Sequence, residues 1–275
     1  MKLALKLSVS LMVLTMASLK APAQCARGPA VCTCPTNGLT FIIVADGAGA
    51  YSTLANNFKD VVYELPVAPS ERPIVKPIEW SSGDNLLDYR SRKLHFEGGT
   101  RMAWEALRIR KISPDSPIVL VGYSAGACVA MSAAEQLPPN SVDRIILLGP
   151  TVASNYDVRL ALRASKCGID AFYVPGDQWL EQMEDRYGAP YGPPGSTVAG
   201  THGFTMVQRR ACLKDPILWN FREHPIPDLQ GEHFGTAKTG FLKCNVMPLV
   251  PRGFLLPLPC ATSAPAGKCP AEKAK

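Results

Sequence analysis

The chain has 275 residues, 47% hydrophobic and 19% charged, with 25 prolines, 22 glycines and 9 cysteines. That composition excludes a disordered chain and suits one α/β domain. The formal charge of +6 is spread without any basic block interleaved with aromatics, so nothing in the sequence supports nucleic-acid binding.

Residues 1–23 read as a secretory signal. Lys2 and Lys6 make a basic start, Leu7 to Leu19 is an apolar stretch short for a membrane span, and Ala21-Pro22-Ala23 offers a small-x-small cleavage site. Gln24 stands before Cys25 where a lipoprotein would want a small residue. Cleavage removes Lys2, Lys6 and Lys20 and no acid, which lowers the charge from +6 to +3 and leaves no stable membrane span. The expected location is secreted or otherwise extracytoplasmic, and export favours disulfides. Nine cysteines cannot all pair within one chain. Residues 24–38 are a Cys/Pro-rich lead-in, where Cys32-Thr-Cys34 is too tightly spaced for a zinc pair and has no His nearby. A pair within Cys25–Cys34, and Cys260 with Cys269, would tie down the ends.

Leu39 to Ala45 is an apolar run and reads as the first buried strand, ending in Asp46-Gly47-Ala48-Gly49. A short helix over Ser52–Leu65, a loop over Pro66–Pro73 and a strand over Ile74–Trp80 follow. Ser81–Leu94 is polar and reads as irregular. Gly98–Ile112 reads as a helix with Met102, Ala103, Ala106, Leu107 and Ile109 broadly on one side. The run Ile118-Val119-Leu120-Val121 then leads into Gly122-Tyr123-Ser124-Ala125-Gly126 and a stretch of small residues stopped by Pro138-Pro139. Arg144–Leu148 and Ile169–Val174 read as further buried strands, with a short helix over Asn155–Lys166 between them. Residues 181–203 read as loop, Met206–Lys214 as a helical turn, Ile217–Phe221 as a short last strand, and Ala237–Val246 as a final helix. Residues 251–275 are a Pro/Ala/Lys-rich tail. Alternating helices and uninterrupted apolar strands predict a three-layer αβα sandwich over residues 39–250. Its central sheet is mostly parallel, with the site at the carboxyl ends of the strands.

Strand, G-x-S-x-G and helix in that order are the context a nucleophile elbow requires. Side chains at 122 or 126 would collide with the neighbouring strand or helix, so glycine is needed. The amide of Ala125 begins a helix and points to where an acyl oxygen would gain charge. The competing reading is an ordinary βα turn with Ser124 as a helix cap. Asp177 follows a later strand behind Pro175-Gly176; it is the preferred acid, and it equally suits the N-cap of a helix from Trp179 onward. Asp170, Glu181 and Asp185 are its alternatives.

On these residues the chain resembles the α/β-hydrolase family over roughly 39–250, with the family's order of nucleophile, acid and base. The resemblance implies a serine esterase or lipase type. Ser124 is the nucleophile, Asp177 the acid, and His233 in Gly231-Glu232-His233-Phe234-Gly235 the base, with His202 in Gly200-Thr201-His202-Gly203 as the alternative. Residues 178–202 hold no clear strand to precede a base, which favours His233. His95 reads as a surface loop residue and His224, before Pro225, as structural. The resemblance assigns the oxyanion donors to Ala125 and to Gly47 or Ala48. It implies two-step acyl transfer on a small-molecule or lipid-like ester, with no metal or cofactor. The short stretch between Leu148 and Ile169 leaves no room for a large cap domain there. Loops 81–97 and 181–205 are the expected walls, with Trp80, Trp179, Tyr187, Tyr191 and Phe204 as candidate contacts. A thioesterase, peptidase or acyltransferase, or a non-catalytic binding protein on the same scaffold, would share the motif.

Overall fold

The computed structural model describes residues 38–229 and 231–251. The signal, the lead-in up to residue 37, the tail from residue 252 and the cysteines expected to pair at the ends lie outside the described residues. Six strands form one all-parallel sheet, and its mainly apolar central strands are covered on both faces. The strands are β1 (Phe41–Ala45), β2 (Ile74–Pro77), β3 (Ile118–Tyr123), β4 (Arg144–Leu148), β5 (Ile169–Tyr173) and β6 (Phe221–Pro225). Their order is β2-β1-β3-β4-β5-β6.

Strand side chains alternate between faces, and the core divides accordingly. Ile43, Ala45, Ile118, Leu120, Ile145, Leu147 and Ile169 pack with α3 (Arg92–Ile112), α4 (Gly126–Gln136) and α5 (Arg159–Ala164) on one side. Ile42, Val44, Val119, Val121, Ile146 and Leu148 pack on the other side with α1 (Thr53–Tyr63) and the helical turns of residues 239–249. Fully burying one such aliphatic side chain is worth about 1.5–3 kcal/mol. The chain leaves β1 toward one face and β3 toward the other. These two strands are neighbours, in register from Phe41 beside Ile118 to Ala45 beside Gly122. A crevice opens where adjacent strands feed opposite faces.

Several expectations need correction. Ser81–Leu94 is not irregular: α2 (Asn85–Arg90) is capped by Asp84, and α3 begins at Arg92 with Ser91 as its cap, six residues before the expected start. Gly98-Gly99 hid this because glycine is a poor helix former. Here both are packing glycines: a Cβ at Gly98 would run into Trp80, and one at Gly99 into Ser132 and Ala133 of α4. His95 is therefore no surface residue; it is fully buried on α3, its Nε2 2.6 Å from Asp88 O. The last strand lies four residues later than expected. Pro216–Asn220 forms a 3-10 turn capped by Asp215, and β6 reads Phe-Arg-Glu-His-Pro. Its polar residues fit an edge strand and mask it as a buried one. Residues 181–203 are not all loop, since α6 (Gln178–Tyr187) runs through the first part and a short helix, α7 (Ala199–His202), closes the last. The expected final helix is instead a chain of short turns from His233 to Leu249. Between β4 and β5 the only helix is α5, of six residues.

Candidate active site

β3 ends at Tyr123, and the next residue turns sharply. Ser124 has φ +53, a left-handed conformation that a non-glycine residue holds only when its surroundings impose it. Its amide donates to Leu148 O at 2.8 Å, and its carbonyl accepts from Ala127 N at 3.0 Å as α4 begins. The flanking glycines are required by contact. A Cβ at Gly122 would overlap Gly126 and Ala127, and one at Gly126 would overlap the backbone of Ala45 and Asp46.

The imidazole at the Ser124 hydroxyl belongs to His233, with Nε2 2.9 Å from Oγ. His233 is 3% exposed. Its ring lies between Tyr123, at 5.3 Å, and Trp179, at 4.8 Å, both near parallel to it. Gly149, at φ +51 just after β4, leaves the space that the ring occupies. His202 is exposed at the end of α7, with Nδ1 2.5 Å from its neighbour Thr201 Oγ1.

Asp177 is fully buried after β5, and its two carboxylate oxygens have different partners. Oδ1 accepts from Leu180 N at 3.0 Å and caps α6, while Oδ2 lies 2.8 Å from His233 Nδ1. An ionised carboxylate only accepts hydrogen bonds, so the ring proton sits on Nδ1 and the Nε2 lone pair faces the hydroxyl. Asp177, His233 and Ser124 thus form one hydrogen-bonded line. Asp170 is occupied elsewhere. It is fully buried on β5 and bonded to Arg144 Nη1 at 2.5 Å, Arg222 Nε at 2.7 Å and His224 Nε2 at 2.9 Å. Burial alone would raise its carboxyl; Arg222, His224 and Arg144 outweigh this and hold it well below the ordinary range. Glu181 and Asp185 are exposed on α6.

A cavity of about 500 Å³ opens beside Ser124, lined by Gly47, Ala48, Tyr51, Trp179, His233 and Phe234 among others. Gly47 packs against the elbow, where a Cβ would press on the Tyr123 ring and on Ser124 Cβ. Ala125 is the N-cap of α4, so its amide belongs to the first turn, where helix amides have no intrahelical acceptor. Asp46 also lines the cavity. Burial raises its carboxyl, and the amides of Leu54 and Ala55 only partly offset that.

Of the five aromatics expected as walls, Trp179 lines this cavity. Trp80 is buried and donates from Nε1 to Asp46 O, Phe204 packs on Phe221, Tyr191 meets His95 and Tyr156, and Tyr187 sits under Arg90. Tyr51 and Phe234, 64% and 62% exposed, supply the aromatic rim instead. Both lie next to glycine-rich turns, the one signal that could have pointed to them. Among the described residues no three His, Cys, Asp or Glu side chains are grouped to hold a metal, and no helix is long and apolar enough to cross a membrane.

A family model described as alpha/beta hydrolase fold matches residues 70–187, a stretch that includes Ser124 and Asp177. Among curated proteins none matches this chain. Among solved structures the chain is similar to poly(aspartic acid) hydrolase-1 from Sphingomonas sp. KT-1, at 15% identity over 78% of this chain and 88% of that one, with a TM-score of 0.47. A serine hydrolase without lid from Xanthomonas campestris matches at 14% identity over 81% and 88%, with a TM-score of 0.44. A cutinase-like protein from Cryptococcus sp. matches at 12% identity over 78% and 92%, with a TM-score of 0.41. Likeness at that level says nothing about substrate. The parallel sheet, the left-handed turn at Ser124 and the family-model match over residues 70–187 together show an α/β-hydrolase fold.

Proposed function

We propose that this chain is an exported serine hydrolase that cleaves carboxylic esters through an acyl-enzyme. The observation that carries the reading is the hydrogen-bonded line from Asp177 through His233 to the strained Ser124, ending at an apolar cavity. Ser124 Oγ attacks the ester carbonyl as His233 Nε2 takes its proton. The carbonyl oxygen becomes an oxyanion held by the amides of Ala125 and of Gly47 or Ala48. Collapse of that intermediate breaks the bond to the alkoxy oxygen, which leaves as the alcohol with the proton from His233. Water then attacks the acyl-enzyme by the same route, and Ser124 regains its proton as the acid departs. Asp177 holds Nδ1–H throughout and stabilises the imidazolium. The lining favours an apolar acyl or alcohol group, so the substrate class is a small-molecule or lipid-like ester, and the basic start and apolar stretch of residues 1–23 argue for export.

A fluorophosphonate probe tests the nucleophile directly. Wild-type protein should be labelled at Ser124 and should turn over p-nitrophenyl esters faster than matched thioesters or anilides. Ser124→Ala and His233→Ala should lose both signals, and His202→Ala should keep them. Folded protein that resists the probe would leave a binding protein on a hydrolase scaffold, and faster thioester or amide turnover would move the activity to another acyl transfer.

A further inference from the structure

The loop between β1 and α1 carries Gly47 and Ala48, and nothing in two such small residues fixes their amides. The residues after them have left-handed backbone, Gly49 at φ +92 and Ala50 at φ +58, so the loop is not a relaxed turn. It is gripped from outside. On the side of residue 46, Trp80 Nε1 donates to Asp46 O at 3.0 Å, and the Asp46 carboxylate accepts from Leu54 N and Ala55 N at 2.6 and 3.1 Å. On the side of residue 49, Gly49 N donates to Asp88 Oδ2 at 2.9 Å. The two grips bracket Gly47 and Ala48.

Asp88 lies on α2 and is fully buried. Besides Gly49 N, its carboxylate accepts from Ser81 Oγ, from Ser82 N at 2.8 Å and from Ser82 Oγ at 2.7 Å. Every one of these donors is an amide or a hydroxyl. Burial by itself would raise the carboxyl, but the donors outweigh it and hold it below its ordinary range. The backbone carbonyl of Asp88 is tied to His95 Nε2, whose ring lies against Trp80, the residue that holds the other end of the loop. One buried network therefore fixes both ends of the segment that faces Ser124. An asparagine at 88 cannot replace the carboxylate, because its NH2 group must face either Gly49 N–H or Ser82 N–H, donor against donor.

We propose that Asp88 is the positioning residue of the oxyanion hole: its carboxylate holds Gly49 and so keeps the Gly47 and Ala48 amides aimed beside Ser124. This rests on the ester-hydrolase reading above, and its effect belongs in kcat, since an oxyanion forms only during reaction. In the full chain with p-nitrophenyl butyrate, Asp88→Asn should lower kcat on the order of 30-fold, below the loss from removing an oxyanion donor outright. KM should stay within about threefold, because the ground-state ester does not need these amides. Amide hydrogen exchange at Gly49 and Ala48 should speed up. Ser82→Ala removes a donor from the other carboxylate oxygen and leaves Gly49 held, so its kcat should stay within about twofold of wild type. Asp88→Glu keeps the charge but moves the oxygens, and it serves as the second variant, with the same split expected, if Asp88→Asn does not fold. Wild-type kcat in folded Asp88→Asn, or equal kcat losses in it and in Ser82→Ala alongside equal losses of melting temperature, overturns the proposal. If wild type turns over no ester, the hydrolase reading fails, and the exchange rates at Gly49 and Ala48 still decide the grip: faster supports it, unchanged overturns it.

Discussion

At Asp177 one carboxylate serves two partners, and the two can be separated by substitution. Oδ1 caps α6 through Leu180 N, and Oδ2 meets His233 Nδ1. Asparagine caps a helix as well as aspartate does, so Asp177→Asn should unfold at nearly the wild-type urea concentration. The same change lets the ring nitrogen facing residue 177 lose its proton, which puts a proton on Nε2, where the base needs a lone pair; kcat should then fall by about 10⁴-fold. Asp177→Ala removes the cap as well and should cost on the order of 1 kcal/mol of stability in addition. Urea midpoints and kcat for the two variants decide the matter. An Asn variant that is destabilised yet active would make Asp177 a helix cap and nothing more. The two readings of this residue need not exclude each other, since the cap and the imidazole use different oxygens of the same group.

At the scale of elements, local patterns announced themselves and long-range fits did not. The run Ile118–Val121 marked β3 because buried parallel strands are continuously apolar, and the small residues after Gly126 marked α4 because the elbow needs them. β6 lies later than its sequence suggests because Arg222 and His224 face the buried carboxylate of Asp170, a partner 52 and 54 residues away that no window of sequence reveals. Within the candidate site, Ser124 was legible from its own strand and turn. The grip of Asp88 on Gly49 was not, because the two residues are 39 apart and α2 lies in a stretch that reads as loop. α3 shows the same conflict between local and global terms. Propensity says that an alanine in mid-helix should be about 1 kcal/mol better than glycine. At Gly99 the added Cβ would lie 2.7 Å from Ser132 Oγ and 2.9 Å from Ala133 N, and forcing two helices apart costs about 1–3 kcal/mol. Gly99→Ala should therefore lower stability in urea denaturation. A stabilised variant would mean that α3 and α4 part without cost, and that the glycine is not there for packing.

For the molecule as a whole, the buried ionisable groups set where acid begins to unfold it, and the signs can be worked out. Burial is the largest influence on His95; the Asp88 carbonyl at its Nε2 offsets it only in part, so its pKa falls from 6.5 to about 4. Its Nδ1 has no hydrogen-bond partner. A folded pKa below the unfolded one means that the unfolded chain binds the extra proton first. Stability from this neutral ring is complete above pH 6.5 and drains away as pH falls toward 4. Integrated over that window, the loss between pH 7 and pH 5 is about 2 kcal/mol. Asp170 acts lower down. Held below its ordinary range by three cationic or imidazole partners, it contributes stability above its unfolded value of 3.8 that is lost only as pH falls further. Two windows should therefore appear in a plot of unfolding free energy against pH, and only the upper one should belong to His95. His95→Gln keeps a donor for the Asp88 carbonyl and cannot take up a proton. It should be less stable than wild type at pH 7, where packing against Trp80 and Tyr191 is lost, yet its stability should hold nearly level from pH 7 to pH 5 while wild type falls. Urea titrations of both proteins at those two pH values measure the difference of slopes directly. Parallel slopes would mean that His95 takes up its proton as readily in the folded as in the unfolded chain, and the acid sensitivity would then have to come from other groups.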